Sequence, residues 1–222
     1  MTNSIQAKKL KQINMYSKKI AASLLECEAI RLQPTKPFTW ASGWNSPIYC
    51  DNRKTLSFPS IRGLIRDAFV ETIKKEYGMP DVIAGVATGA IAQGALVADS
   101  MQLPFVYVRS APKGHGMENL IEGDVKPGQR VVVIEDLIST GGSSLKAVEA
   151  LRKAGCEVLG MVAIFTYGFP LAQNNFDTIS CKLTTLSDYS ALLDLALETN
   201  YITQEQLEIL QEWRKSPDTW MK

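Results

Sequence analysis

Two adjacent acids, Glu135 and Asp136, are followed within a few residues by Ser139-Thr140-Gly141-Gly142-Ser143-Ser144. Hydroxyls and small residues in that order suit an anion. Gly141 and Gly142 let the backbone come close to it, while Ser139, Thr140, Ser143 and Ser144 offer hydroxyl donors. The acids would repel a phosphate but can accept hydrogen bonds from sugar hydroxyls. A monophosphate beside two hydroxyls describes a ribose 5-phosphate.

The elements around these residues agree with that chemistry. Arg130-Val131-Val132-Val133-Ile134 is an apolar run without alternation, which predicts a strand buried on both faces of a parallel sheet. Leu145, Val148 and Leu151 recur three residues apart before Gly155, which predicts a helix over 145–154. The acids and the loop therefore sit between the carboxyl end of a strand and the amino end of a helix. Open parallel sheets bind ligands there, and unpaired N–H groups favour an anion. Two other phosphate loops are excluded. A P-loop needs a lysine where Ser143 and Ser144 stand, and no G-x-G-x-x-G occurs in the stretch. The plainer alternative is a strand-to-helix turn with an N-cap serine.

Three further stretches carry polar or aromatic groups outside regular periodicity. Phe38 to Arg53 holds Trp40, Trp44 and Tyr49 before a short extended piece, Ile48 to Asp51. Its aromatics beside Arg53 suit a flat anionic base, or a hairpin packed on the core. Ala87-Thr88-Gly89-Ala90 follows a buried strand at Asp81 to Val86 and precedes a small-residue helix to about Met101. That loop could cradle a pyrophosphate, and close strand–helix packing explains its small residues equally well. Arg109 to Gly123, after a strand at Phe105 to Val108, holds Arg109, Lys113 and the single histidine, His115. Long aperiodic loops in compact domains are commonly functional lids or linkers, and three potential cations suit a pyrophosphate or are simply solvated.

Elsewhere the sequence reads as scaffold. Helices are expected from about Asn14 to Arg31, from Ser60 (as cap) to Tyr77, and over Tyr189–Leu197 and Gln204–Trp213, the last opened by the capping box Thr203-x-x-Gln206. A buried strand is expected over Val158 to Phe165 and an edge strand over Phe176 to Leu183. The whole is a doubly wound parallel α/β sheet. The chain of 222 residues, with 45% hydrophobic content, suits a single α/β domain with some elaboration, or at most two small domains. A net charge of +1 gives no case for nucleic acid or membrane surfaces. Four scattered cysteines without C-x-x-C, together with a polar start lacking an apolar signal segment, point to a reduced, cytoplasmic protein.

Four hydrophobics, two acids and a Thr/Gly-rich loop resemble the phosphoribosyl-diphosphate (PRPP) signature of the type I phosphoribosyltransferases. Phe38-Thr39 with Ser42-Gly43, Ser46-Pro47-Ile48-Tyr49 and Asp51-x-Arg53 resembles the hood that covers the pyrimidine in orotate phosphoribosyltransferases. Arg109-x-x-x-Lys113-x-His115-Gly116 resembles their mobile catalytic loop, which crosses a dimer into the neighbouring site. Ala41, Ser110 and Tyr167 depart from members that carry cations at or near those places.

The resemblance implies one phosphoribosyltransferase domain over 1–222, with residues about 1–58 supplying the N-terminal helix and hood. It implies transfer of the 5-phosphoribosyl group from PRPP to orotate, giving orotidine 5'-monophosphate and pyrophosphate in pyrimidine biosynthesis. Mg2+ would be held mainly through PRPP, with no direct protein cage. Arg109, Lys113, His115 and Asp136 would be catalytic. PRPP would meet those cations together with Glu135, Asp136, Leu137, Ile138, Ser139, Thr140, Gly141, Gly142 and Ser143. Orotate would meet Ser139, Arg53 and Tyr49. A homodimer is implied, with the 109–123 loop entering the neighbouring site. The alternatives are a phosphoribosyltransferase for another base and a non-catalytic PRPP-binding regulator.

Overall fold

The computed structural model describes residues 15–40, 43–111 and 120–221. Two units emerge: one of the described residues up to Thr55 together with those from Ser187 onward, the other Leu56–Leu186.

The first unit begins with α1 over 15–26, which buries Ile20, Ala21 and Leu24 completely. Two small antiparallel pairs follow. β1 (Ile30–Leu32) pairs with β4 (Ile48–Cys50), and β2 (Phe38–Thr39) pairs with β3 (Asn45–Ser46). Side chains of a strand alternate between faces, so the register that buries Ile30, Leu32 and Ile48 sets Arg31 opposite Tyr49 on the other face. A 3-10 turn, Asn52–Ser57, ends the segment.

In the second unit, α2 (Pro59–Glu76) starts at Pro59 after Phe58, with no side-chain cap. The expected Ser60 cap is therefore corrected: proline at the first helical position supplies the fixed φ and has no N–H to leave unpaired at the helix start. β5 (Val82–Val86), α3 (Ile91–Met101), β6 (Phe105–Val108), β7 (Ile121–Glu122), β8 (Arg130–Ile138), α4 (Gly142–Lys153), β9 (Glu157–Thr166), α5 (Pro170–Thr178) and β10 (Leu183–Asp188) complete it. The sheet order is β10-β9-β8-β5-β6-β7. β5 is parallel to β6 and β8, β8 is parallel to β9, and the short β7 returns antiparallel to β6. Every residue of β5 is buried, as are Val131 to Glu135 of β8, the signature of strands covered on both faces.

The edge strand expected over Phe176 to Leu183 is also corrected. Pro170 opens a helix that carries Phe176 into the core, and the edge strand begins only at Leu183. At the base of the sheet the Tyr77 hydroxyl lies 2.9 Å from the Thr184 hydroxyl and 3.2 Å from the Met161 carbonyl, bracing β9 and β10 against the end of α2.

From Ser187 on, the first unit adds α6 (Tyr189–Glu198) and α7 (Gln204–Lys215). Asp188 caps α6 by accepting from the Ser190 and Ala191 N–H groups, and the Thr203/Gln206 capping box opens α7 as expected. Trp213 of α7 is fully buried, 5.7 Å from the Trp40 ring and 5.5 Å from Tyr189. α6 and α7, read from sequence as scaffold, thus share a unit with the N-terminal segment.

Candidate active site

β8 carries its two acids on consecutive residues, so they point to opposite faces. Glu135 is 4% exposed. Its Oε2 accepts from the Ser144 hydroxyl at 2.7 Å and its Oε1 from the Asp136 N–H at 2.9 Å. Burial, reinforced by the negative charge of Asp136, pushes its carboxyl up to about 8. Asp136 remains half-exposed at the carboxyl end of the sheet. The pair expected together at the sugar is thereby divided, one acid holding the loop from within and one facing outward.

The loop after β8 is held by three elements. Gly141 is the N-cap of α4 at φ +82, a conformation that favours glycine. No side chain caps the helix, which overturns the N-cap serine alternative. The last turns of α5 brace the loop from behind. Asn175 Nδ2 donates to the Thr140 carbonyl at 2.9 Å, and a Cβ at Gly141 would stand 2.8 Å from the Phe176 ring. Ser144 is 1% exposed and committed to Glu135, so it is not among the donors facing a ligand as its position in the loop suggested. Gly142 and Ser143 are exposed, and Ser139 and Thr140 half-exposed. Their N–H and O–H groups line the amino end of a twelve-residue helix, where a phosphate is favoured. Ile138 lies in the core, its carbonyl accepting from the Tyr167 N–H and the Thr166 hydroxyl, both at 3.2 Å. Ile138 and half-exposed Leu137 are strand residues that carry the loop.

The parallel register sets Gly85 beside Ile134, so the loop after β5 emerges next to the acids. Ala87–Ala90 stands there, with a cis peptide bond between Ala87 and Thr88, and Gly89 comes against the Asp136 carboxylate. At the next strand, Arg109 starts the long loop. Its N–H donates to the Leu120 carbonyl at 2.8 Å, and its Nη1 lies 3.4 Å from Glu122 Oε1 on β7. Lys113 and His115 lie outside the described residues, as does Ala41.

Tyr49 and Arg53 belong to the other unit. The cation against the aromatics there is Arg31, not Arg53 as the sequence suggested. The Arg31 guanidinium lies 5.4 Å from the Phe38 ring centre and 5.0 Å from that of Tyr49. Arg53 instead grips Asp51 with two bonds, at 2.7 and 3.0 Å, and holds that carboxyl below its usual range. The position of Tyr167 between Phe165 and Phe169, at 5.9 and 5.4 Å, makes it part of the packing under the β9 end. A hollow of about 180 Å³ near Thr166, Phe169, Gln173 and Thr185 has no ionisable lining residue and stands apart from this chemistry.

Among the described residues no cluster of three or more His, Cys, Asp or Glu side chains could hold a metal by itself. One outward carboxylate beside a phosphate loop does fit Mg2+, which keeps most of its ligands as water and phosphate oxygens. No described helix is long and apolar enough to cross a membrane. Sequence reasoning placed Ser144 and Gly89 in ligand loops rather than as supports of the site, and it missed Asn175, Phe176 and Glu122 in that role. Only the strand alternation of Glu135 and Asp136 gave a signal, since the other contacts join separate elements.

Residues 56–191 match the family model for the phosphoribosyl transferase domain. The chain is 64% identical over 203 residues to the orotate phosphoribosyltransferase of Porphyromonas gingivalis, covering 91% of this chain and 97% of that protein. The crystal structure of orotate phosphoribosyltransferase from Aeropyrum pernix superposes with a TM-score of 0.72 at 27% identity, over 83% of this chain and 99% of that one. The Mycobacterium tuberculosis orotate phosphoribosyltransferase in complex with PRPP shares the fold, with a TM-score of 0.62 at 24% identity over 82% and 99% of the two chains.

Proposed function

The chain belongs to the orotate phosphoribosyltransferases within the phosphoribosyltransferase family, and we propose how its residues carry the transfer from PRPP to orotate. The products are orotidine 5'-monophosphate and pyrophosphate. The observation that carries the assignment of roles is the uncapped amino end of α4, with exposed Gly142 and Ser143, beside the outward carboxylate of Asp136.

The 5-phosphate takes the N–H and O–H donors from Ser139 to Ser143, and Asp136 accepts from the ribose hydroxyls. As pyrophosphate departs, positive charge grows on the ribose, as in glycoside cleavage. Asp136 stabilises that charge through its field. Glu135 acts one step back, fixing the loop through Ser144. Arg109, Lys113 and His115 balance the leaving pyrophosphate. Mg2+, when bound, neutralises diphosphate charge, with Asp136 the carboxylate placed to meet it. Ser139 and Tyr49 are the residues proposed for orotate, and Arg53 joins them only on releasing Asp51.

The full chain acts as one catalytic domain, cytoplasmic and homodimeric, with the Arg109–Gly123 loop serving the partner's site. The order Arg109-x-x-x-Lys113-x-His115-Gly116 supports this dimeric reading. Ultraviolet absorbance of orotate mixed with PRPP, Mg2+ and purified protein tests the reaction. A PRPP-dependent spectral change abolished by EDTA is expected. No change, with PRPP still bound in calorimetry, would refute orotate as the base and favour another base or a PRPP-binding regulator.

A further inference from the structure

Gly85, Gly89 and Gly94 follow one another at the junction of β5 and α3, and they are small for different reasons. A Cβ at Gly85 would stand 2.8 Å from the Ala90 carbonyl oxygen and 3.1 Å from the Phe105 ring. One at Gly94 would stand 2.7 Å from the same ring. Both glycines let a helix lie close on a strand. Gly89 has no such neighbour. The three atoms nearest its absent Cβ all belong to the Asp136 carboxylate, with Oδ1 at 2.6 Å and Cγ and Oδ2 nearer still. Nor does its backbone require glycine, because its φ lies outside the left-handed region.

We propose that Gly89 is a positioning residue whose bare Cα seats the Asp136 carboxylate against the ribose of PRPP. The inference rests on the ribose role given to Asp136 above. Both residues are half-exposed, so an added methyl group can be accommodated by swinging the carboxylate toward solvent. The fold then survives and the sugar contact does not. A purely structural glycine behaves in the opposite way, losing stability first.

A rival physical account keeps Gly89 small so that its backbone can approach the pyrophosphate. A double-mutant cycle in the full-length enzyme separates the two. Steady-state kinetics and thermal melting are measured for the native chain, Gly89→Ala, Asp136→Ala and the double variant. Gly89→Ala is expected to lower kcat/KM for PRPP by about tenfold or more, the scale of a lost hydrogen bond to a charged group. The KM for orotate stays within about twofold and the Tm within about 2 °C. Adding Gly89→Ala to Asp136→Ala costs less than about twofold further, because the carboxylate it displaces is already gone. An equal fold-loss in both backgrounds would overturn the inference and favour backbone approach. Native-like kinetics of Gly89→Ala in an active enzyme would also overturn it. A native chain that does not use PRPP would overturn the ribose reading itself, and the inference with it.

Discussion

Glu135→Gln is the perturbation whose size follows most directly from the site. Glu135 is a buried acid whose carboxyl is raised to about 8 by burial and by Asp136, against an ordinary value of 4.5. Below pH 4.5 both the folded and unfolded chains hold its proton, and the group takes nothing from stability. Between 4.5 and 8 the unfolded chain releases the proton while the folded chain keeps it, so stability falls as pH rises. The slope is about 1.4 kcal/mol per pH unit, or roughly 3 kcal/mol between pH 5.5 and 7.5. Glutamine can keep both contacts, with its carbonyl accepting from the Asp136 N–H and its amide donating to the Ser144 hydroxyl, and it does not titrate. In a chain of this size 1 kcal/mol corresponds to about 2–4 °C, so the Tm of Glu135→Gln relative to native should rise by ~5–10 °C over that interval. Differential scanning calorimetry at the two pH values reads this difference, and the other titrating groups largely cancel in it. Melting curves that shift in parallel to within about 2 °C would refute the buried, proton-holding Glu135.

Lys113→Ala should lower kcat by about a hundredfold or more, the scale of a lost oxyanion donor; near-normal turnover would remove Lys113 from catalysis. Asp136→Asn should weaken kcat/KM for PRPP by about tenfold or more while leaving the Tm in place, and an unchanged kcat/KM would count against the ribose contact. Mixing the impaired Lys113→Ala and Asp136→Asn chains should raise activity above that of either variant alone, to about a quarter of native, if subunits exchange and each loop serves its partner's site; activity no higher than the average of the two variants in mixtures shown to contain hybrid dimers would refute the crossing loop. Gly160→Ala should cost ~1–3 kcal/mol of stability, since its Cβ would meet the Tyr77 ring and stand 2.7 Å from the Lys182 carbonyl. Urea titration checks that loss, and an unchanged midpoint would mean that the base of the sheet yields more easily than its contacts imply.

The strand–loop–helix unit around Glu135 was legible because it is local: an unbroken apolar run, two acids, small residues and a helical stripe lie end to end. Strands β5, β6 and β9 were legible for the same reason. The region from Tyr167 to Leu183 was not, because Phe176 and Ile179 lie at helical spacing while Ile179, Cys181 and Leu183 alternate as in a strand, and the Pro170 start signal outweighs strand propensity. Which cation meets the aromatics was equally hidden. Arg53 is close to Tyr49 in sequence, but the β1–β4 register brings Arg31 across to it, and Asp51 claims Arg53 at a separation of two residues. The supports of the phosphate loop share this character. Asn175 and Phe176 lie some thirty-five residues from what they hold, a distance that no local pattern reports.

The pairing of β8 with β9 shifts register once, between Val131 and Val132, and then runs unbroken to Ile138 opposite Thr166. That placement decides where the gene can tolerate small insertions and deletions. One residue gained or lost before the irregularity meets a place that already absorbs a mismatch. One gained or lost between Val132 and Glu135 would turn every following side chain to the opposite face, sending Asp136 into the core and Glu135 to the ligand. Such a lesion would strike folding and chemistry together. Drift in length should therefore accumulate in the turn ahead of β8 and be purged from the few codons before its acids.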